Sequence, residues 1–169
     1  MTVATGLDAQ AVVGALLEAD ATHVVTVPDT HQRTVLEELA ARRDLPLVRA
    51  ATEDDVLGIC GGLWIGGRRP IALIQQLGLF ASVNALRGLT HDLRLPLSIL
   101  AGMYGRDVER AVDESSNSAV RFCRPVLDAL GIPSLLVEGP DLLAQIPDWL
   151  ATPFRSGGTR VVLLGAPTT

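Results

Sequence analysis

The chain has 169 residues and a net charge of −5, with 14 Arg and no Lys; 48% of it is hydrophobic and only 4% aromatic. A single domain over residues 1–169 is expected, with a core of mostly Leu, Val, Ile and Ala. Scattered Arg on an acidic chain argue against nucleic acid, no apolar run approaches the ~20 residues of a bilayer span, and Met1 to Gly6 lack the features of a signal peptide. The expectation is a cytoplasmic protein, not a membrane one, whose surplus apolar content covers a subunit interface.

The elements follow in alternation. Asp8 is placed to cap a helix over 9–19, with Val12, Val13, Leu16 and Leu17 on one stripe. His23 to Val27 reads as a buried strand stopped by Pro28. Thr30 reads as the cap of a second helix with Val35, Leu36 and Leu39 on its apolar face. Leu47 to Ala51 is a second strand, and the helix Glu53 to Gly67 follows it. That helix has acids only at its mouth and is otherwise small and apolar, so a ligand or a partner surface can approach its backbone. Pro70 to Gln75 is a third strand, and Gly78 opens a helix carrying Val83, Leu86 and Leu89. Pro96 to Ala101 is a fourth strand.

Residues 102–118 are polar and aperiodic, a loop with room for a short helix. A helix over 121–130 ends at Gly131. Ser134 to Val137, a helix over 141–151 and Arg160 to Leu164 complete the pattern. Cys60 and Cys123 fit no metal spacing and read as buried reduced thiols. Six near-continuous apolar strands alternating with helices predict a three-layer α/β fold, a mainly parallel sheet with helices on both faces.

In such folds ligands bind outside the carboxyl ends of the strands, near a topological switch point. That rule selects Pro28-Asp29-Thr30-His31, Thr52-Glu53, Gln75-Gln76-Leu77-Gly78 and Gly102-Met103-Tyr104-Gly105-Arg106. There is no GxGxxG after the first strand and no GxxxxGK[ST] anywhere.

Val27-Pro28-Asp29-Thr30 resembles a VPDS turn. Glu53 with Gly58-Ile59, Gly62 and Gly66 matches an E-x4-G-I-x2-G-x3-G helix. Ile74 to Leu79 followed by Asn84-Ala85-Leu86 resembles an MQNSGLGNxxNAL segment, and Leu95-Pro96-Leu97 an IPLL strand. In this order the four motifs resemble the pyrimidine-binding domain of thiamine diphosphate enzymes. The resemblance is strongest to the alpha chain of sulfopyruvate and phosphonopyruvate decarboxylases. The chain departs where Gln76-Leu77-Gly78-Leu79-Phe80-Ala81 stands for Asn-Ser-Gly-Leu-Gly-Asn, and where Gly102-Met103-Tyr104-Gly105 replaces a polar His-Arg-Gly. Both departures make the site less polar.

The resemblance implies thiamine diphosphate as cofactor. It gives Glu53 the catalytic role: a carboxyl on N1′ of the aminopyrimidine that promotes its tautomerisation and so the loss of the thiazolium C2 proton. Burial raises a carboxyl pKa toward the working pH, whereas a helix N-terminus and a Thr52 cap favour the carboxylate. Pro28, Gln75, Gln76 and Gly78 are expected on the cofactor side, and Thr30, His31, Tyr104 and Arg106 on the substrate side. The family's Gly-Asp-Gly…Asn motif for Mg²⁺ and the diphosphate is missing, so a beta subunit with the diphosphate-binding domain is implied, in an alpha2beta2 or larger hetero-oligomer. The implied reaction is decarboxylation of a small-molecule 2-oxo acid. A carboligase subunit and a catalytically idle dimerisation or regulatory module are the alternatives.

Overall fold

A computed structural model describes residues 6–169. Six strands, β1 His23–Thr26, β2 Leu47–Arg49, β3 Pro70–Gln75, β4 Leu97–Gly102, β5 Ser134–Val137 and β6 Thr159–Leu164, form one sheet in the order β2-β1-β3-β4-β6-β5. Every pairing is parallel. The three-layer α/β architecture expected from the sequence is the one observed.

Strand alternation sorts the apolar side chains between two cores. Val24, Ile71, Leu73, Leu100 and Val162 face one layer, where α1 Ala9–Glu18, α2 Arg33–Ala40, α7 Pro140–Leu143 and α8 Ile146–Ser156 pack. Val25, Ala72, Ile74, Ile99, Ala101 and Val161 face the other, built from α3 Glu53–Ile65, α4 Gln76–Ala81, α5 Val83–Arg87 and α6 Ser118–Ala129. Both faces being covered explains why β3 and β4 read as continuous apolar runs. The chain runs from β1 outward to β2, then returns across the sheet to β3. The switch point therefore lies between the carboxyl ends of β1 and β3.

Two helix starts follow the sequence closely. The Asp8 side chain accepts from the Gln10 N–H and opens α1, and Thr52 Oγ1 accepts from the Asp55 N–H and opens α3. Others differ. Thr30 caps nothing: Asp29 Oδ1 takes the His31 N–H, and α2 starts only at Arg33. Gly78 does not open a helix, because α4 begins two residues earlier at Gln76. The helix expected beyond it breaks into α4, α5 and a π-helical turn, Gly88–Asp92. The helix expected over 141–151 is two, since Pro147 cannot donate a backbone hydrogen bond and restarts the ladder as α8. The loop after β4 holds one short 3₁₀ turn, Val112–Glu114, and α6 begins earlier than expected, where Asn117 Oδ1 accepts from the Ala119 N–H. Gly131 closes α6 with φ +62°.

Both cysteines are buried and free. Burial pushes each thiol up to about 12, with Arg124 pulling Cys123 slightly the other way. No helix among the described residues is long and apolar enough to cross a membrane.

Candidate active site

Four loops meet at the carboxyl end of the sheet. The first brings Glu53, at N1 of α3, against α4. Gly78 is buried there, and a Cβ on it would stand 2.9 Å from Glu53 Oε1 and closer still to Cγ. The glycine thus makes the space that the carboxyl side chain occupies. Glu53 is half-buried, and no protein donor lies within hydrogen-bond reach of its carboxylate among the described contacts. This is a more open position than its small-residue helix suggests.

Asp29 organises the switch point. Its Oδ1 accepts from the His31 N–H at 2.7 Å and from Gln75 Nε2. Its Oδ2 accepts from Gln32 Nε2 at 3.2 Å, and that amide also donates to the Ile74 carbonyl at 2.6 Å. One carboxylate therefore ties the end of β1, the end of β3 and the start of α2. Gln32 is buried, and its Oε1 has no partner. The sequence selected the Asp29 turn by its place after β1 but gave the residue no role, and Gln32 was missed. A polar residue at a buried helix start would have been the available signal for Gln32.

The third and fourth loops are joined by Gln76. Its Nε2 donates to the Tyr104 carbonyl at 2.6 Å, and its Oε1 accepts the Tyr104 N–H at 2.8 Å. Gln76 is fully buried, so its amide is committed to this backbone pairing. Asn117 Nδ2 donates to the same carbonyl at 3.2 Å. Gly105, at φ +79°, leaves room for that amide. The Tyr104 ring is 55% exposed and meets His31 edge-on, with centroids 5.7 Å apart. His31 in turn lies against Gly102, where an added Cβ would stand 2.9 Å from His31 Cδ2.

Of the residues expected on the cofactor side, Glu53, Gly78, Gln75 and Gln76 converge, with Gln75 held by Asp29 and Gln76 by Tyr104. Pro28 and Thr30 are exposed on the β1 turn. His31 and Tyr104, both expected on the substrate side, pack against each other. Arg106 is placed differently: its side chain is 3% exposed, and Nε pairs with Glu138 Oε1 at 2.6 Å. Its Nη1 donates to the carbonyls of Asp107 and Arg110. Arg106 braces the loop after β4 against the loop after β5. Gly165 supports the brace, since a Cβ there would stand 2.7 Å from Glu138 Oε1.

No protein-family model matches the chain. Among curated proteins it is 27% identical over 132 residues to sulfopyruvate decarboxylase subunit alpha of Methanococcus maripaludis, covering 78% of each chain. The chain resembles sulfopyruvate decarboxylase alpha subunits. It is also 25% identical over 124 residues to sulfopyruvate decarboxylase of Methanosarcina acetivorans; that match covers 72% of this chain but only 31% of the longer protein. Among solved structures, 2-oxoglutarate:ferredoxin oxidoreductase from Magnetococcus marinus superposes with a TM-score of 0.65 at 16% identity. That likeness covers 94% of this chain and 29% of the other, and it is a likeness of fold.

Within the described residues no three His, Cys, Asp or Glu side chains cluster as a metal site. Among the described residues, the large apolar side chains most open to solvent are Ile65, Leu93, Tyr104, Phe122 and Leu77. All five belong to the α3–α6 layer or to the loop leading into it.

Proposed function

We propose that this chain is the pyrimidine-binding alpha subunit of a two-chain, thiamine diphosphate-dependent 2-oxo acid decarboxylase. The observation that carries the reading is Glu53. It is a half-buried carboxylate on the first turn of α3, without a protein donor, laid over a glycine at the switch-point end of the sheet. An acceptor left open in this way fits a ring nitrogen that needs a proton-exchanging carboxyl partner. Thiamine diphosphate supplies a carbanion nucleophile and an electron sink for the leaving CO₂.

The remaining work is assigned to this chain's own residues. Glu53 holds and exchanges a proton with the aminopyrimidine. Gly78 keeps its carboxyl close to the backbone of α4. Asp29 orients Gln75 and Gln32 at the floor, and Gln76 fixes the backbone that carries Tyr104. His31 and Tyr104 form a wall toward the substrate.

The diphosphate and Mg²⁺ are assigned to a partner beta subunit. Two observations support that division. The relative of similar matched length is a subunit, whereas the longer relative is matched over only 31% of its length. The exposed apolar side chains of the α3–α6 layer give a partner a surface to cover. The assembly is proposed to be a cytoplasmic hetero-oligomer. Calorimetric titration of thiamine diphosphate with Mg²⁺ tests the reading: binding is expected for the assembled enzyme and not for the lone chain. Tight binding by the lone chain would refute the two-chain site.

A further inference from the structure

Resting on that reading, we propose that Arg49, with Thr30 and His31, binds a second anionic group of the substrate, a sulfonate or phosphonate at the far end of a 2-oxo acid. Arg49 is the last residue of β2 and lies in register with Thr26, the last residue of β1. Leu47 packs into the core under α1 and α2 and Val48 into the opposite core. Strand alternation therefore sends the Arg49 side chain off the sheet on the α2 side. The turn Pro28 to Gln32 leaves the end of β1 toward that same layer and carries Thr30 and His31. Four residues beyond Arg49, Glu53 opens α3.

The polar groups at this end of the sheet divide into engaged and open ones. Thr26 Oγ1 donates to the Leu73 carbonyl at 2.7 Å, Gln32 Nε2 to the Ile74 carbonyl at 2.6 Å, and Gln75 Nε2 to Asp29. Asp29 also accepts from the His31 N–H and from Gln32, so its carboxylate is already answered within the turn. Arg33, Arg106 and Arg110 on the neighbouring segments each pair with a carboxylate. Arg49 differs: among the described residues it makes no ion pair, and the Thr30 hydroxyl and the His31 ring nitrogens make no hydrogen bond. A guanidinium, a hydroxyl and an imidazole N–H thus stand open around one turn. Such a set suits a group that only accepts, and a sulfonate or phosphonate offers three oxygens, two of them to the guanidinium fork. The half-buried His31 ring is steadied by the edge-on contact with Tyr104. Arg49 is solvent-exposed, so holding its charge there costs the fold no desolvation.

The experiment measures equilibrium binding of sulfopyruvate, phosphonopyruvate and 2-oxobutanoate to the assembled enzyme carrying Glu53→Gln, which stops turnover under the proposed role, with and without Arg49→Gln. Arg49→Gln is expected to weaken sulfopyruvate and phosphonopyruvate about tenfold or more and to leave 2-oxobutanoate nearly unchanged. Equal loss for all three overturns the inference, because Arg49 would then serve the 2-oxo carboxylate common to them, or the fold. No loss overturns it too, as does failure of sulfopyruvate and phosphonopyruvate to bind while Arg49 is present. The expected binding pattern in an enzyme whose wild-type assembly decarboxylates none of the three refutes the proposed function alone, because binding is read without turnover.

Discussion

The Glu53 side chain occupies the space that a side chain on Gly78 would fill, with 2.9 Å between Oε1 and the place of the missing Cβ. The two residues lie 25 positions apart and belong to α3 and α4, the helices that enter and leave β3. Gly78→Ala should therefore push Glu53 aside. Overpacking of this kind costs about 1–3 kcal/mol, partly offset by the better helix propensity of Ala, worth about 1 kcal/mol. Thermal denaturation should show a lowered Tm for Gly78→Ala that Glu53→Ala restores in the double variant. A single variant as stable as the parent would show that the two side chains do not compete for this space.

Gln76→Leu removes a buried amide and leaves both the N–H and the carbonyl of Tyr104 without their short partner. Asn117 still reaches the carbonyl, so the N–H carries most of the loss. An unsatisfied buried group costs about 1–3 kcal/mol. Urea denaturation should register that loss, and hydrogen exchange at the Tyr104 amide should accelerate. Unchanged exchange would contradict the pairing.

The ion pair that braces the β4 loop has a buried half and a wetter half, with side chains 3% and 29% exposed for Arg106 and Glu138. Glu138→Ala strands the guanidinium on carbonyl partners alone. Breaking a buried pair costs about 3–5 kcal/mol, and the partial exposure of Glu138 places the expectation at the lower end. Arg106→Lys should fail to rescue, because an ammonium cannot span Glu138 and two carbonyls from one planar fork. Denaturation midpoints of the two variants check this, and a fully stable Arg106→Lys protein would contradict it.

Much of this was legible in the sequence, and the misses have local causes. Helices α1 and α3 were readable because Asp8 and Thr52 cap their own next turn, a contact within three residues. The start of α2 was not: Asp29 Oδ1 turns the chain at the His31 N–H, and the helix begins only at Arg33 with Gln32 before it. The split of the helix before β6 reflects Pro140 and Pro147, each favoured at a helix start. Strand-end logic placed Glu53, Gln75, Gln76 and Tyr104 at the carboxyl end of the sheet, where the structure has them. It could not find that Gln76 is committed to a peptide 28 residues away, nor that Arg106 turns from the site toward Glu138. Both depend on which loops the sheet order brings together, and local patterning carries no such information.

The cysteines should be inert in the folded chain. A thiol raised from 9.0 to about 12 is ionised ~10³-fold less at pH 8 than an unshifted one. Alkylation of Cys60 and Cys123 by iodoacetamide should be slow until the chain unfolds. The linkage has a definite sign. The folded state holds these protons more tightly, so their contribution is fully present below pH 9 and declines as pH rises from about 9 to about 12. Rapid alkylation of the native protein at pH 8 would contradict their burial.

Glu53→Gln in the assembled enzyme tests the central claim most directly. The amide keeps the size of the side chain and its place over Gly78, but it cannot exchange a proton with the aminopyrimidine. Loss of such acid–base function typically costs ~10²–10⁴-fold. The account predicts a fall of that size in kcat for 2-oxo acid decarboxylation, with subunit assembly intact and Tm close to the parent. Turnover within a few-fold of the parent enzyme would contradict it, and would leave Glu53 as no more than a first-turn acid stabilising α3.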